Sequence, residues 1–213
     1  MKASIADIRE EYTKSGLTED QLLDDPFEMF DRWFDEAMSS EVELINAMTL
    51  ATASKQGVPS SRIVLLKGVD ERGFIFYTNY QSRKAHELLE NPNCSLTIFW
   101  GELERQVRVV GKAQQISKDE SREYFHSRPR ESQIGAWASQ QSKPLNGREE
   151  LEARYKNFQE KFNGQEIPLP DHWGGFVVEP SEVEFWQGRP SRLHDRFVYE
   201  RQGDSWICKR LNP

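Results

Sequence analysis

Apolar positions along this chain follow two periods. Phe27, Phe30, Phe34 and Ala37 or Met38 recur at helical spacing, and Asp25-Pro26 with Glu28 supplies an N-cap, a proline at the first helical position and an acid near the positive end of the dipole. This predicts a helix of about 15 residues within 25–42 that docks on the core. Ahead of it, residues 5–14 read as a short helix that places Arg9 and Tyr12, three apart, on one face.

From Ala47 the period shortens to that of strands, at 47–54, 60–69, 73–79, 94–100 and 104–116 and again at 173–179, 182–187 and 196–210. Turn signals at Lys55-Gln56-Gly57 and Asp70-Glu71-Arg72-Gly73 make successive strands antiparallel neighbours. Three further helices are predicted. One starts at Ser82 as N-cap and ends before Pro92; a second opens on a Ser117/Glu120 capping box and stops near Arg128, because Pro129 restricts the residue before it; a third carries Leu151, Tyr155, Phe158 and Phe162 and ends at Asn163-Gly164. Residues 132–142 are uncharged, small and amide-rich, which suits close approach to a polar ligand or an ordinary loop. Closely spaced strands with few helices between them predict an α+β, mainly β chain, a barrel or curled sheet in place of a doubly wound parallel sheet.

Arg62 to Lys67, R-I-V-L-L-K, reads as a buried strand with a cation at each end. Five steps separate the cations, so they face opposite ways and lie roughly 16 Å apart. If both are functional, each serves its own anionic group; otherwise both are solvated strand ends. Arg83 and Lys84, in the first turn of the Ser82 helix, have the wrong sign for its dipole, and a bound anion there would reverse the penalty. Tyr124 and Arg128, four apart, share a face that either binds a phosphate or stacks at the surface. The stretch from Gln187 to Arg196 gathers three arginines, Arg189, Arg192 and Arg196, and one histidine, His194, beside Trp186. If it is extended, Arg192, His194 and Arg196 share a face and Asp195 can orient a neighbour.

Charge narrows the partners. Residues 1–45 hold 4 Lys/Arg against 13 Asp/Glu, while the whole chain of 213 residues carries −7, so the body is close to neutral. An acidic leader and a near-neutral body argue against general nucleic-acid binding and leave room for small basic pockets. The length suits one large domain, 1–213, and no linker argues for two. The absence of a long apolar run or signal-peptide core points to a cytoplasmic protein with no membrane partner. Cys94 and Cys208 have no framework spacing and read as packing residues; the four histidines are too scattered for a metal centre. Dinucleotide, P-loop, zincin and nucleophile-elbow motifs are missing.

Six pieces in order, R-I-V-L-L-K, F-Y-T-N-Y-Q-S-R-K-A, L-E-R-Q-V-R-V-V-G, Y-F-H-S-R-P-R-E-S-Q-I-G-A-W-A-S-Q-Q-S, W-G-G-F and E-F-W-Q-G…R-L-H-D-R-F, together resemble the pyridoxamine 5′-phosphate oxidase family, from about Ile8 to the C-terminal R-L-N-P. The resemblance implies an FMN-binding split β-barrel with peripheral helices, working as a homodimer with FMN at the interface. It implies oxidation of the phosphorylated B6 vitamers pyridoxamine or pyridoxine 5′-phosphate to pyridoxal 5′-phosphate, with O2 as acceptor and H2O2 as product. By the same resemblance Arg62, Arg83 and Lys84 hold the FMN phosphate with Ser142. Ile63, Val64, Leu65, Lys67, Tyr77, Thr78, Gln106, Gln141, Trp186 and Arg196 contact the rest of the cofactor. Lys67, Tyr124, Arg128 and Ser132 hold the substrate phosphate. Arg192 and His194 cover the pyridine ring and act at the catalytic centre, orienting the ring for hydride transfer from C4′ to flavin N5. Arg9 and Tyr12 belong to a mobile lid within 1–24. Two alternatives remain at this stage: a different flavin protein on the same barrel, and a non-catalytic carrier of pyridoxal phosphate or other phosphorylated ligands.

Overall fold

The structure, a computed structural model, describes residues 4, 5 and 11–213. Helix α1, Pro26–Met38, starts as its sequence requires: the Asp25 carboxylate accepts the Phe27 N–H at 2.7 Å and Pro26 occupies the first turn. Strands β1 (Ala47–Ala53), β2 (Pro59–Leu65), β3 (Gly68–Asp70) and β4 (Gly73–Asn79) follow. Helix α2 is Arg83–Glu90, β5 Asn93–Trp100 and β6 Arg105–Gln115. Three helices come next, α3 (Lys118–Ser127), α4 (Arg130–Ala138) and α5 (Arg148–Lys161), then β7 (Trp173–Gln187), β8 (Asp195–Gln202) and β9 (Ser205–Leu211). Among the described residues nine strands form one sheet in the order β2-β1-β5-β6-β7-β4-β3, with β8 paired to β7 and β9 to β8.

Several expectations need correction. The 60–69 segment is two strands, and β2 is not buried: Ile63 is 64% exposed and Leu65 41%, so only Leu66 of the apolar run reaches the core. Residues 11–14 are not helical, and Arg9 lies outside the described residues. The uncharged 132–142 stretch is mostly helix, because Ile134 and Ala138 are buried and Trp137 packs on Phe158 and Phe162 at 5.5 and 5.4 Å. Tertiary burial outweighs weak propensity there. The two strands expected at 173–187 are one, which pairs β4 through Trp173–Val178 and β8 through Glu182–Gln187, the expected break falling where the partner changes. The 196–210 strand is a hairpin turning at Gly203-Asp204. Cys94 is buried as expected, but Cys208 is exposed on β9.

The chain divides into two compact units. One comprises Met1–Thr49, Ser95–Gly111 and Pro180–Pro213. Its core is aromatic: Trp33 meets Phe185 edge-on at 5.2 Å, Phe30 lies 6.3 Å from Trp100, and Phe185 meets Tyr199 at 5.7 Å. Two of its polar tips are satisfied by main-chain carbonyls, Trp100 Nε1 donating to Ile45 O and Tyr199 OH to Leu23 O.

The other unit comprises Leu50–Cys94 and Lys112–Glu179. Its core includes Phe125, Ile134, Phe162, Ile167 and Trp173, and Phe76 stacks on Phe176 at 5.7 Å across the β4–β7 pair. Both predicted helix starts are present here, Ser82 accepting from Ala85 N and Ser117 from Glu120 N. The β3–β4 hairpin turns tightly enough that Gly73 sits at φ +138°, where a Cβ would fall 2.0 Å from Val178 O. Gly73→Ala therefore combines a disfavoured backbone angle with a clash against a strand carbonyl. It should lower unfolding free energy by about 2–4 kcal/mol, read as a shift of the urea midpoint without a change of slope.

Candidate active site

In the second unit a cavity of about 630 Å³ opens between β2, β4, the start of β7 and helices α2 to α4. Ile63, Val64, Leu65 and Lys67 line it, with Tyr77, Thr78, Lys84, Tyr124, Arg128, Ser132 and Gln141. The β4–β7 register sets Tyr77 opposite Gly175 and Asn79 opposite Trp173. The rings of Tyr77, Tyr124 and Trp173 form a nearly parallel stack, 3.8 Å between the tyrosines and 5.4 Å from Tyr77 to Trp173. Burial, with the nearby Glu120 charge, pushes the Tyr77 phenol up to about 12, so it stays protonated and a hydrogen-bond donor.

Two of the cavity's cations, Arg128 and Lys84, are short of counter-ions among the described residues. Arg128 ends α3 and lays its guanidinium 4.6 Å over the Trp173 ring, but its buried Nη1 has no hydrogen-bond partner. An orphaned cationic donor in a cavity is a strong pointer to an anionic ligand. Among the described residues Lys84 Nζ reaches only neutral oxygens, Gln141 Oε1 at 2.8 Å, Thr78 Oγ1 at 3.2 Å and Ser82 Oγ at 3.5 Å. Burial first, and the neighbouring Arg62 charge second, bring its ammonium down to about 8. These donors fit phosphate oxygens: a phosphorylated ligand would supply the missing acceptor to Arg128 and a counter-charge to Lys84.

Arg62 does not line the cavity. Its guanidinium turns toward Thr52, Ser60 and Glu87, and Arg83 bonds the same carboxylate through Nε. Glu87 was not singled out in the sequence, although its i+4 spacing from Arg83 is the ordinary signature of a helical ion pair. Ser142 stands beyond Gln141 at φ +69°. Asn79, Gly135, Ala136, Ser139 and Trp173 also line the cavity without having been foreseen; small residues are the signal that the 132–142 composition did carry.

The first unit gathers the second set. Trp186 on β7 lies 4.7 Å from the His194 ring, and Tyr12 meets both edge-on at 5.4 and 5.3 Å. The segment before His194 is a tight turn, Pro190–Arg192, with Ser191 and Arg192 in the left-handed region at φ +57° and +62°. Arg192, His194 and Arg196 therefore do not share an extended face. Non-glycine residues held in that region mark a backbone shaped by its surroundings.

His194 Nδ1 accepts the Arg189 N–H at 3.1 Å, while burial and then the Arg192 charge lower its pKa from the ordinary value. The ring is accordingly neutral near pH 7 with its proton on Nε2. Arg196 is forked onto the buried Glu184 carboxylate at 2.9 and 3.1 Å and reaches Asn212 O. Asp195 orients neither His194 nor Arg196 by a hydrogen bond; it takes the Leu17 N–H and Arg210. Gln106 stands on β6.

This sheet and cavity define the class, an FMN-binding split barrel. Two solved structures share the architecture: PhzG from Burkholderia lata 383, in complex with tetrahydrophenazine-1-carboxylic acid (TM-score 0.87, 34% identity, 91% of this chain and 95% of that one), and a pyridoxamine 5′-phosphate oxidase-related, FMN binding protein from Nostoc punctiforme (TM-score 0.71, 16% identity, 87% and 96%), the latter a likeness of fold alone. Residues 34–162 match the profile of pyridoxamine 5′-phosphate oxidase, and residues 173–213 that of the pyridoxine 5′-phosphate oxidase C-terminal dimerisation region. Curated relatives named pyridoxine/pyridoxamine 5′-phosphate oxidase are 52% identical in Trichormus variabilis (all of both chains) and 53% identical in Rubrobacter xylanophilus (all of this chain, 98% of that one). The chain belongs to the pyridoxine/pyridoxamine 5′-phosphate oxidase family, whose members are FMN-dependent oxidoreductases.

Lys84 gives the unliganded protein a pH signature. Its folded pKa of about 8 lies below the unfolded value of about 10.4, so between them the unfolded chain binds more protons and stability rises with pH. Lys84→Met should remove that slope and add of order 2 kcal/mol below pH 8, measured by urea unfolding of flavin-free protein from pH 7 to 10. A slope that persists in the variant would refute the assignment to Lys84.

Proposed function

We propose that this protein oxidises pyridoxamine or pyridoxine 5′-phosphate to pyridoxal 5′-phosphate, with O2 as electron acceptor, giving H2O2 and, from the amine, ammonia. The observation that carries the reading is the buried, unpartnered Arg128 Nη1 in a cavity that also holds the under-compensated Lys84. Two separate cationic sets suit two phosphorylated molecules, substrate and cofactor, and family membership supplies their identity.

FMN, when bound, would supply the redox chemistry, as acceptor of a hydride from substrate C4′ and donor of the electron pair to O2. The chain's task is to bind, align and keep the pair dry. Lys67, Arg128, Tyr124 and Ser132 hold the substrate phosphate, Arg128 through its free donor. Lys84 and Arg83 hold the FMN phosphate with Arg62 and Ser142, while Thr78 and Gln141 approach the cofactor from the cavity wall. Ile63, Val64, Leu65 and Tyr77 contact the rest of it, as do Gln106, Trp186 and Arg196. Neutral His194 offers an Nε2 proton to the substrate ring, and Arg192 adds positive charge beside it without either acting as an obligatory base.

The C-terminal dimerisation match supports a homodimer with FMN at its interface, and the exposed apolar side chains of Ile63 and Leu65 suit a covered surface. Within 1–24, Tyr12 is the described part of the lid, Arg9 lying outside the described residues, and the helix within 25–42 docks on the core of the first unit. The protein's place of work is the cytoplasm; no helix among the described residues is long and apolar enough to cross a membrane.

An anaerobic titration of the flavin-loaded protein with pyridoxine 5′-phosphate tests the reading. The visible flavin band should bleach and return on admission of air, with H2O2 formed; a band that does not respond would leave a flavin barrel of another purpose. Arg128→Met should raise KM for the phosphorylated substrate by roughly 10- to 100-fold, the worth of a charge-assisted hydrogen bond. Turnover of unphosphorylated pyridoxine, however slow, should not change, and an equal loss with both substrates would argue against a phosphate role for Arg128.

A further inference from the structure

One carboxylate collects the groups that face away from the cavity. Glu87 on α2 is buried at 6% exposure. Its Oε2 accepts Thr52 Oγ1 at 2.5 Å and Ser60 Oγ at 2.6 Å and faces Arg62 Nη2 at 3.4 Å, while its Oε1 accepts Arg83 Nε at 2.8 Å. Arg62 completes the network through Nη1 to Thr52 Oγ1 and Leu50 O, and through Nη2 to Ser60 Oγ. Three hydrogen bonds from Ser60, Thr52 and Arg83, together with Arg83's charge, outweigh burial and hold the carboxyl ionised, down to about 2. Arg62, Arg83 and Lys84 with this one acid leave two positive charges, the amount that a phosphate monoester dianion neutralises.

We infer that Glu87 is the internal counter-anion of the cofactor-phosphate cations, a positioning residue that gathers Arg62 and Arg83 when the phosphate is absent and competes with it when it arrives. The inference rests on the proposed assignment of Arg62, Arg83 and Lys84 to the FMN phosphate. Two effects oppose one another. Removing the carboxylate frees the Arg83 side chain, whose immobilisation then costs binding. It also removes a full negative charge that touches the same guanidiniums as the dianion, well within a Debye length and in a half-dry setting. A full charge acting on a dianion exceeds one side chain's rotamer freedom, so the neutral variant binds FMN more tightly. Its unliganded fold, left with uncompensated cations, is weaker.

Full-length wild type, Glu87→Gln and Glu87→Asp, stripped of flavin, are titrated with FMN and with riboflavin by flavin fluorescence, and their thermal midpoints are measured with and without FMN. Glu87→Gln should bind FMN about tenfold more tightly than wild type, with riboflavin binding unchanged; Glu87→Asp, which keeps the charge, should bind FMN as wild type does. The unliganded Gln variant should melt below wild type and gain more from FMN. Equal or weaker FMN binding by Glu87→Gln overturns the inference, as does an equal shift for riboflavin, which marks a merely structural role. Should Glu87→Gln fold only with FMN present, its FMN release rate decides: slower than wild type supports the inference, equal or faster overturns it. Wild type that binds FMN no better than riboflavin would instead overturn the phosphate assignment itself.

Discussion

The antiparallel register of β4 on β7 is the constraint on which the cavity depends. It fixes Tyr77, Thr78 and Asn79 opposite Gly175, Gly174 and Trp173, and so decides which side chains stand on the cavity wall. The two glycines make that register tolerable: a Cβ on Gly174 would fall 2.2 Å from Tyr80 OH, and one on Gly175 2.5 Å from Ile116 and 2.9 Å from the Tyr77 ring. Because strand side chains alternate, a slip of one residue would exchange the wall for the core face. The aromatic stack, the Arg128 guanidinium over Trp173 and the orphaned Nη1 all follow from this one alignment.

Electrostatics around the cavity is arranged by a local scarcity of acids, whereas cations elsewhere in the same unit are paired, Arg72 with Asp70 and Glu120 among them. Carboxylates are abundant in the chain, but Glu87 is the acid that meets Arg62 and Arg83, and Arg128 and Lys84 contact none among the described residues. Two kinds of cation result. Arg62 and Arg83 are already engaged, and their geometry is set before any ligand arrives; Arg128 and Lys84 face the cavity with neutral or missing partners. In the other unit the pattern is reversed: Glu184 and Asp195 satisfy Arg196 and Arg210, so charge there serves to fix backbone and ring positions around Trp186 and His194.

Local chemistry made much of this legible. Asp25-Pro26, Ser82 and Ser117 act through atoms two or three residues away, and each caps the helix it announces. The six motif pieces likewise named the family, since a site's side chains are specified by type as well as position. What local sequence did not reveal depends on distant partners. The 132–142 stretch is helical because Trp137 finds Phe158 and Phe162, not because Gly135 and the serines favour it. Ile63 and Leu65 look like core from their neighbours in the chain, yet they face outward. Glu87 is ordinary on a helical wheel; its significance comes from Thr52, Ser60 and Arg62, all more than twenty residues away.

The segment that brings Tyr12 to Trp186 and His194 is fastened by its main chain. Glu104 takes the amide protons of Thr13 and Lys14, and Asp195 takes that of Leu17, so the clasps grip groups that nearly every amino acid possesses. Mutational drift at Thr13 and Lys14 is thereby uncoupled from the attachment, with proline, which has no amide proton, as the exception. The leader can change its polarity and still present the same aromatic ring at the same place. Evolution is free to rewrite the strap's surface while its two acidic buckles stay fixed.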